Sequence, residues 1–293
     1  MKRRRFLTIS AGFLLASGLA AKAQRVTQWQ GQALGARTTI SLAGDHPALI
    51  EATRAEIARL EGIFSLYQPG SDLSRLNRDG ALDAPAPELV ECLALAGRVH
   101  DQTGGRFDPT VQPLWLAYAE AQGRPDSAAV QALPLGWSGV SITPARIEMQ
   151  PGMALTLNGI AQGFIADRVA ALIRGQGYDR VLVDTGEIAA LGPSPDGSPW
   201  PVRWPQGGGI GLDNRALASS SPLGTSFDGG TTGHILNPLT RQPAPARWSQ
   251  VSVSSRSAAL ADALSTAFCL MDSRAEMDAA CAGFRDARVE LAV

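Results

Sequence analysis

The stretch Leu155–Leu191, LTLNGIAQGFIADRVAALIRGQGYDRVLVDTGEIAAL, decides the fold, because it predicts a strand, a sharp turn, a helix and a second strand in succession. Leu155–Leu157 is predicted to be a strand that enters a turn at Asn158-Gly159, since both residues tolerate positive φ. Such a turn would leave backbone amides free at a helix N-terminus, where phosphate binds well. Its glycines, Gly159 and Gly163, do not form the dinucleotide fingerprint, so an ordinary tight turn is the alternative.

The second half of this stretch predicts the helix and the strand that follow the turn. Apolar residues at helical spacing indicate a helix from about Ile160 to Arg174, ended by Gly175 or Gly177. Val181–Val183 is predicted to be a short buried strand. It ends in Asp184-Thr185-Gly186-Glu187, where small and acidic residues replace the apolar run.

The whole chain has the size and composition of a globular protein with a large core. It contains 293 residues, of which 45% are hydrophobic and 18% charged, enough for one large domain or two closely packed ones. The formal net charge of −1 lacks the basic field of nucleic-acid-binding proteins, so no nucleic-acid partner is expected.

The first 23 residues are predicted to be an export signal. Arg3-Arg4-Arg5-Phe6-Leu7 is a twin-arginine pattern, and the moderately apolar run Thr8–Ala20 is too short to span a bilayer comfortably. Ala21-Lys22-Ala23 is a small-x-small cleavage site, which makes Gln24 the expected mature start. We therefore expect a periplasmic protein with one domain over residues 24–293. An uncleaved anchor and Sec export are the alternatives.

The cysteines and histidines do not predict a metal site. Cys92, Cys269 and Cys281 show no CxxC spacing, and the first two lie in apolar helical patterns typical of packing residues. In an oxidising compartment two of the three cysteines could form one disulfide, and the sequence does not decide whether they do. The three histidines are too scattered to suggest zinc.

Helices and strands are mixed along the rest of the chain without regular alternation, which predicts an α+β fold. Helices are expected to start at Pro47, Pro87 and Ser257, with a loop containing a helical turn at residues 64–77. Tyr67 lies in that loop, on a predicted bend beside Pro69 and Gly70. Its alternative role is that of a half-buried core tyrosine.

Asp262 and Thr266 are four residues apart on the helix predicted at Ser257–Met271, so their side chains share one face, with Ser265 adjacent. A carboxylate and a hydroxyl are hard oxygen ligands that suit Mg²⁺. The alternative is structural: Asp262 in the first turn favours the helix dipole, and Thr266 bonds its own backbone. In either case Asp262 is expected near solvent at the helix start.

Six segments in this order resemble the ApbE family of FAD:protein FMN transferases, over nearly the whole mature chain. They are Phe64–Asn77, Gly104–Val111, Asn158–Gly163 with Asp167 beyond it, Asp184–Glu187, His234–Pro238 and Ala261–Thr266. LTLNGIAQG, the DTGE ending and ALADALSTAFCLM resemble the periplasmic branch of the family that accompanies nitrous-oxide reductase. The resemblance implies an ApbE-like α+β fold with mixed sheets and packed helices.

The resemblance also implies a metal site and a base. Mg²⁺ would be held by Asp262, Thr266 and the carbonyl of Gly159, with Ser265 close by, and would polarise the pyrophosphate of FAD. His234 would lie next to the reacting phosphate as a candidate base for the acceptor hydroxyl.

A flavin site is implied in the same way. Tyr67 would flank the flavin, and further residues would line the FAD site: Asp108, Gln162, Thr185 and Ile235. Two departures affect these contacts. Gln162 stands where the family commonly has lysine, and Asp184-Thr185-Gly186-Glu187 replaces the common Asn-x-Gly-Gly-Asp ending.

Three functions compete at this point. The first is transfer of FMN from FAD to a threonine of an exported or membrane-bound acceptor protein, so that any membrane contact comes only through the acceptor. The second is hydrolysis of FAD to FMN and AMP with the same metal, and the third is a flavin-binding carrier without chemistry. The Asp262–Thr266 pair favours an enzyme over the carrier.

Overall fold

The computed structural model describes residues 26–293, so the predictions made for the export signal and for the mature start at Gln24 lie outside the described residues. The strands are β1 Val26–Ala33, β2 Ala36–Ala43, β3 Ala81–Asp83, β4 Val140–Ile142, β5 Arg146–Met149, β6 Val181–Asp184, β7 Ile188–Leu191, β8 Trp200–Arg203, β9 Gly209–Leu212, β10 Arg215–Ser220, β11 Leu236–Asn237, β12 Gln242–Pro243, β13 Val251–Ser255 and β14 Arg288–Ala292. The helices are α1 Pro47–Phe64, α2 Asp72–Asp79, α3 Pro87–Gln102, α4 Gln112–Glu120, α5 Ser127–Ala132, α6 Ala161–Gly175, α7 Ala258–Phe268 and α8 Arg274–Cys281. Short 3₁₀ turns lie at Pro109–Val111 and Trp137–Gly139.

The centre of the molecule is a seven-stranded sheet in the order β1-β2-β6-β7-β10-β13-β14. Every neighbouring pair in it is antiparallel. β6 and β7 form a tight hairpin in which Asp184 pairs with Ile188. The acidic DTGE segment is therefore the turn of a central hairpin, at one end of the sheet.

Two layers of helices cover one face of this sheet. α6 and α7 contact each other and the central strands, and α1 and α3 pack on them from outside. Gly163 on α6 permits the close contact, because a Cβ there would lie 2.3 Å from the carbonyl oxygen of Ala258 on α7. The large core cluster lies between these layers and includes the fully buried Phe268 of α7.

The opposite face of the sheet is covered by the β8–β9 hairpin. Trp200, Val202 and Leu212 of this hairpin form a second apolar cluster with sheet residues such as Leu182 and Leu217. With both faces covered, β6 and β7 have buried side chains throughout their apolar parts. This explains the continuous apolar run of β6, which would alternate if one face met water.

The predicted α+β fold is confirmed, and most predicted elements are present. α6 matches the helix predicted at Ile160–Arg174, with each end shifted by one residue. Ser257 caps α7 as expected, by accepting a hydrogen bond from the Leu260 amide. α1 and α3 begin at Pro47 and Pro87. The three cysteines are all buried and free.

The strand predicted at Leu155–Leu157 is wrong. The segment joins no sheet, and its backbone is satisfied by other partners. The side chain of Asn77 accepts from the Leu155 amide at 2.7 Å and donates to its carbonyl at 2.8 Å, and the Thr156 amide donates to Pro109. An extended segment buried by side-chain and loop contacts has the same apolar pattern as a strand.

The loop predicted at residues 64–77 is more ordered than expected, since its second part is the start of α2. Ser71 caps this helix by accepting from the Ser74 amide, and Leu73 and Leu76 are fully buried. The alternative that Tyr67 is a core residue is also wrong, because 63% of it is exposed.

No helix within residues 26–293 is long and apolar enough to cross a membrane.

Candidate functional site

The position of α7 is set by a carboxylate from the neighbouring helix. Asp167 of α6 accepts hydrogen bonds from the Ser257 hydroxyl and the Ala258 amide, both at 2.7 Å, and from the Ala259 amide at 3.1 Å. These are the orphan donors of a helix N-terminus, which a carboxylate satisfies well. Asp167 was noted in the sequence only as part of a motif, and its function as a cap could not be inferred from spacing.

Asp262 lies one turn into α7, under α6, and is only 3% exposed. The expectation that it is near solvent is therefore wrong, because α6 covers the face of α7 that carries it. Its Oδ2 accepts one hydrogen bond, from the Gly163 amide at 3.2 Å. Burial raises the pKa of this carboxyl to about 7, with the charge of Asp167 adding to the shift. A buried carboxylate with so little compensation favours a nearby cation.

Thr266 lies one turn further along α7, half-buried, and faces the turn at Asn158-Gly159. A Cβ at Gly159 would lie 3.0 Å from Thr266 Oγ1, so only glycine fits there without displacing the hydroxyl. Neither Asn158 nor Gly159 has positive φ. The glycine is thus required by the close approach of α7 and not, as predicted, by the conformation of the turn.

Most amides of this turn are already paired. The carbonyl of Leu157 accepts from the Ile160 and Ala161 amides, and the Gly163 amide donates to Asp262. The amides of Gly159 and Gln162 have no partner among residues 26–293. The expected row of free amides is therefore reduced to two potential donors to a phosphate.

Gln162 and Thr185 are brought together at the end of the central hairpin. The Thr185 hydroxyl donates to the Gln162 carbonyl at 3.0 Å. The side-chain amide of Gln162 packs beside Gly186, since a Cβ built there would lie 3.4 Å from it, an ordinary van der Waals distance. Gln162 and Thr185, both predicted to line the FAD site, are thus in contact. Gln162 is on α6 next to Gly163, whose amide donates to Asp262 of α7.

Two further acids, Glu187 and the half-buried Asp184, lie at the turn of the central hairpin. Glu187 is 8% exposed and accepts from the Ser219 amide at 3.3 Å. Burial raises its pKa well above the usual range, and the charges of Asp262 and Asp184 raise it further. Burial also raises the pKa of Asp184 to about 6. The effect of Asp262 on the pKa of Glu187 could not be predicted from sequence, because only the fold of the hairpin brings the two together.

These carboxylates do not surround a common point. Among the described residues, no group of three or more His, Cys, Asp or Glu side chains is arranged to hold a metal ion. A metal at Asp262 would therefore draw its other ligands from hydroxyl and carbonyl oxygens. Thr266 and the Gly159 carbonyl are the predicted sources of such ligands.

Ser265, also predicted near the metal, is fully buried and faces β10. Its hydroxyl donates to the Asp262 carbonyl at 3.0 Å and contacts the Ser220 hydroxyl at 2.7 Å. Ser220 Oγ also lies 3.2 Å from Thr266 Oγ1. Ser220 was not predicted as a site residue, although the sequence showed a serine-rich end to this strand.

His234 is the last residue of a small hairpin that follows β10. Its Nδ1 donates to the Thr225 carbonyl at 3.0 Å, which leaves the lone pair of the neutral ring on Nε2. Burial lowers the pKa of His234, while the carbonyls of Thr225 and Pro222 partly oppose the shift. The ring is thus neutral and basic at neutral pH.

The hairpin that carries His234, residues 225–234, is organised by Asp228. This carboxylate accepts backbone and hydroxyl hydrogen bonds from Thr231 and Thr232, and one from the Gly230 amide. Phe227 anchors the hairpin by ring contacts to Trp115 and Tyr118 of α4. The chain that leaves β10 at Ser220, beside Thr266, thus continues through this hairpin to His234.

The remaining predicted residues lie on other segments of the chain. Ile235 is buried next to His234, and its carbonyl accepts from the Ala244 amide. Asp108 is 8% exposed, and its Oδ1 accepts from the Thr110 amide and hydroxyl, so it caps the turn beside Thr156. Tyr67 is exposed on its bend, where its amide donates to Ser65 Oγ.

Comparisons with known proteins give matches over most of the chain. The model of a family described as the ApbE family matches residues 34–287. A FAD:protein FMN transferase of Chlamydia pneumoniae is 28% identical over 90% of both chains, and one of Treponema pallidum is 30% identical over 72% of this chain and 70% of its own. The solved structure of the Pseudomonas stutzeri flavinyl transferase ApbE, apo form, is 26% identical with a TM-score of 0.76, and covers 90% of this chain and 91% of that one.

Proposed function

The chain belongs to the ApbE family, and from that premise we propose that it transfers FMN from FAD to a hydroxyl of an acceptor protein and releases AMP. The observation that carries the proposal is the contact of α7 with the glycine turn, where Asp262 accepts from the Gly163 amide and Thr266 lies against Gly159. Ser220 of β10 contacts Thr266 from another element, and the half-buried, neutral His234 lies further along the chain.

The residues present fit a divalent cation. Asp262 is a buried carboxylate with a single hydrogen bond, and its raised pKa reflects a charge that the protein does not compensate. Beside it are a hydroxyl and a glycine turn without a Cβ. Carboxylate, hydroxyl and carbonyl oxygens suit Mg²⁺, so Asp262, Thr266 and the Gly159 carbonyl would hold it. Ser265 would lie close by without binding the ion, since its hydroxyl donates to the Asp262 carbonyl. Mg²⁺ would supply charge neutralisation on the pyrophosphate of FAD.

The flavin half of FAD would contact the exposed Tyr67, and the wall formed by Gln162 and Thr185 would line the rest of the site together with Asp108 and Ile235. The free amides of Gly159 and Gln162 are suited to a phosphate oxygen at the start of α6. The side chain of Gln162 is neutral, so it would donate a hydrogen bond without adding charge.

His234 would act as the general base. The acceptor hydroxyl loses its proton to Nε2 of His234 as its oxygen attacks the phosphorus of the FMN half. The bond from that phosphorus to the bridging oxygen breaks, and AMP leaves with the bridging oxygen and the electron pair. The Thr225 carbonyl holds the Nδ1 proton, orients the ring and stabilises its protonated form.

We further propose that the acceptor residue is threonine and that transfer takes place in the periplasm after twin-arginine export. The support is the Arg3-Arg4 pattern with its cleavage site, and the resemblance of LTLNGIAQG to the branch that accompanies nitrous-oxide reductase. The acceptor would then be an exported or membrane-bound flavoprotein that supports this reductase.

One assay tests the proposal. The purified protein is incubated with FAD and Mg²⁺, with and without an acceptor domain that carries a threonine in an exposed loop. Transferase activity gives a covalently fluorescent acceptor in a denaturing gel and an equal amount of AMP. FMN and AMP without a labelled acceptor would indicate a pyrophosphatase, and unchanged FAD that stays bound would indicate a carrier.

A further inference from the structure

Three hydroxyls link β10 to the end of α7, and we call this set the hydroxyl relay: Thr266, Ser220 and Ser265. Ser220 Oγ lies 3.2 Å from Thr266 Oγ1 and 2.7 Å from Ser265 Oγ, and Ser265 Oγ lies 3.0 Å from the Asp262 carbonyl oxygen. Ser265 is fully buried and the other two are partly buried, so water does not readily replace these contacts.

The far end of the hydroxyl relay fixes its direction. A carbonyl oxygen can only accept, so the single proton of Ser265 is donated to Asp262. Ser265 Oγ must then accept from Ser220, whose single proton is thereby also used. Ser220 Oγ can therefore only accept from Thr266. All three protons point away from the glycine turn, toward the carbonyl of α7.

The geometry points to Ser220 and Ser265 as positioning residues that fix the hydroxyl proton of Thr266 on the side of β10. Thr266 Oγ1 then presents only lone pairs toward Gly159 and the Asp262 side of the helix. This inference rests on the proposed metal site, and it adds a reason for its affinity: the ligand oxygen is oriented before the cation arrives, so the cation does not have to turn a proton away.

A purely structural role for the same hydroxyls makes a different prediction. If the contacts only join β10 to α7, their loss lowers stability and leaves metal affinity unchanged. The neighbouring Ser219 provides a matched control, because its hydroxyl pairs with Ser252 at 2.8 Å and takes no part in the hydroxyl relay.

The test is direct binding of Mn²⁺, which prefers the same oxygen ligands as Mg²⁺, to the protein without FAD. The free ion is measured by electron paramagnetic resonance in wild type and in Ser220→Ala, Ser220→Thr, Ser219→Ala and Asp262→Ala. We expect Ser220→Ala to weaken Mn²⁺ binding by about 3- to 10-fold, the size of one lost hydrogen bond. Ser220→Thr and Ser219→Ala should bind like wild type.

The outcomes are distinguishable. If wild type binds Mn²⁺, Asp262→Ala loses it and Ser220→Ala keeps wild-type affinity, the hydroxyl relay has no positioning role. If wild type does not bind Mn²⁺ at all, the metal assignment fails, and this inference with it. Circular dichroism checks that each variant is folded, and Ser220→Cys, whose thiol accepts hydrogen bonds poorly, replaces Ser220→Ala if the latter does not fold.

Discussion

At the scale of single residues, His234 is the side chain on which the proposed chemistry depends. General-base assistance contributes about 10²–10⁴ in rate, so His234→Ala should slow transfer by that factor while FAD still binds. The measurement is in-gel flavin fluorescence of the acceptor over time, with FAD binding followed by quenching. His46→Ala is the control, because His46 bonds Ala43 and Tyr178 away from the site. Equal labelling by wild type and His234→Ala would remove His234 from the mechanism.

The pH dependence of transfer follows from the same residue. Burial lowers the pKa of His234 below its usual 6.5, so the ring remains a base as the pH falls through that value. The loss of rate on protonation of the ring should therefore appear below pH 6.5. Protonation of Asp262, whose pKa burial raises to about 7, gives a separate loss of rate that remains in His234→Gln. Identical acid limbs in wild type and in His234→Gln would contradict the assignment of a base to the ring.

The same shift has a consequence for stability. The unfolded chain takes up the His234 proton near pH 6.5, whereas the folded chain does so only at lower pH. The unfolded state therefore binds more protons in this window, and stability contributed by the neutral ring is lost as the pH falls through the folded pKa.

Asp262→Asn should separate stability from activity. The asparagine side chain keeps an oxygen that can accept from the Gly163 amide. It also removes a buried carboxyl group whose pKa is raised to about 7. At pH 8 we expect the metal-free variant to have a Tm equal to or above that of wild type, and to lose both turnover and the rise in Tm that Mg²⁺ gives to wild type. A variant that still turned over at low Mg²⁺ would place the metal elsewhere.

The site residues show what sequence can and cannot predict. The i, i+4 spacing of Asp262 and Thr266 predicted correctly that they share a face, because helix geometry is local. The exposure of Asp262 was predicted wrongly, because it depends on where α6 packs. Asp167 and Ser220 contact α7 from two other elements, and Asp262 of α7 raises the pKa of Glu187 on the central hairpin. No local sequence pattern relates these three residues to α7.

At the scale of elements, the contact between α6 and α7 holds the candidate site together. Gly163→Ala would place a methyl group 2.3 Å from the Ala258 carbonyl, so the helices must separate. Overpacking of this kind costs about 1–3 kcal/mol, and the shift should also displace the Gly163 amide from Asp262. We expect a lower Tm together with a loss of turnover.

Gly175→Ala is the matched control for this prediction. Gly175 is the last residue of the same helix, and a Cβ there would meet no atom within 4 Å. Its substitution should leave Tm unchanged or slightly higher, since alanine favours a helix by up to ~1 kcal/mol. If both variants melted alike, close packing at Gly163 would not be the cause.

The strand predicted at Leu155–Leu157 is wrong because an apolar pattern indicates burial and not pairing with another strand. Leu155–Leu157 has the apolar content of a strand, but Asn77 and Pro109 satisfy its backbone in place of a sheet neighbour. Hydrophobic pattern reports burial, whereas strand formation also requires a free sheet edge at the right place. Helices such as α3 and α7 satisfy their own backbone, and their starts were therefore predicted accurately, although α7 ends at Phe268, three residues before the predicted Met271.

At the scale of the whole molecule, the prediction concerns the route of export. The motivating sequence is Arg3-Arg4 before Phe6-Leu7, in the part of the chain outside the described residues. Changing both arginines to lysine should leave the protein in the cytoplasm, measured by fractionation and immunoblotting. Unchanged recovery of the mature form from the periplasm would reject the twin-arginine route.

The three thiols of the chain are all buried. Burial raises the pKa of Cys269 to about 12 and that of Cys281 to about 11, and it raises the pKa of the fully buried Cys92 as well. All three are therefore held as protonated thiols inside the core, and a folded chain presents no reactive thiolate at its surface.

The hairpin around Asp228 has a consequence for how such a chain can diversify. Its order comes from its own carboxylate and threonines, with Phe227 as the anchor on α4. The exposed tip can therefore change its residues without disturbing the core, while the histidine at its foot keeps its place.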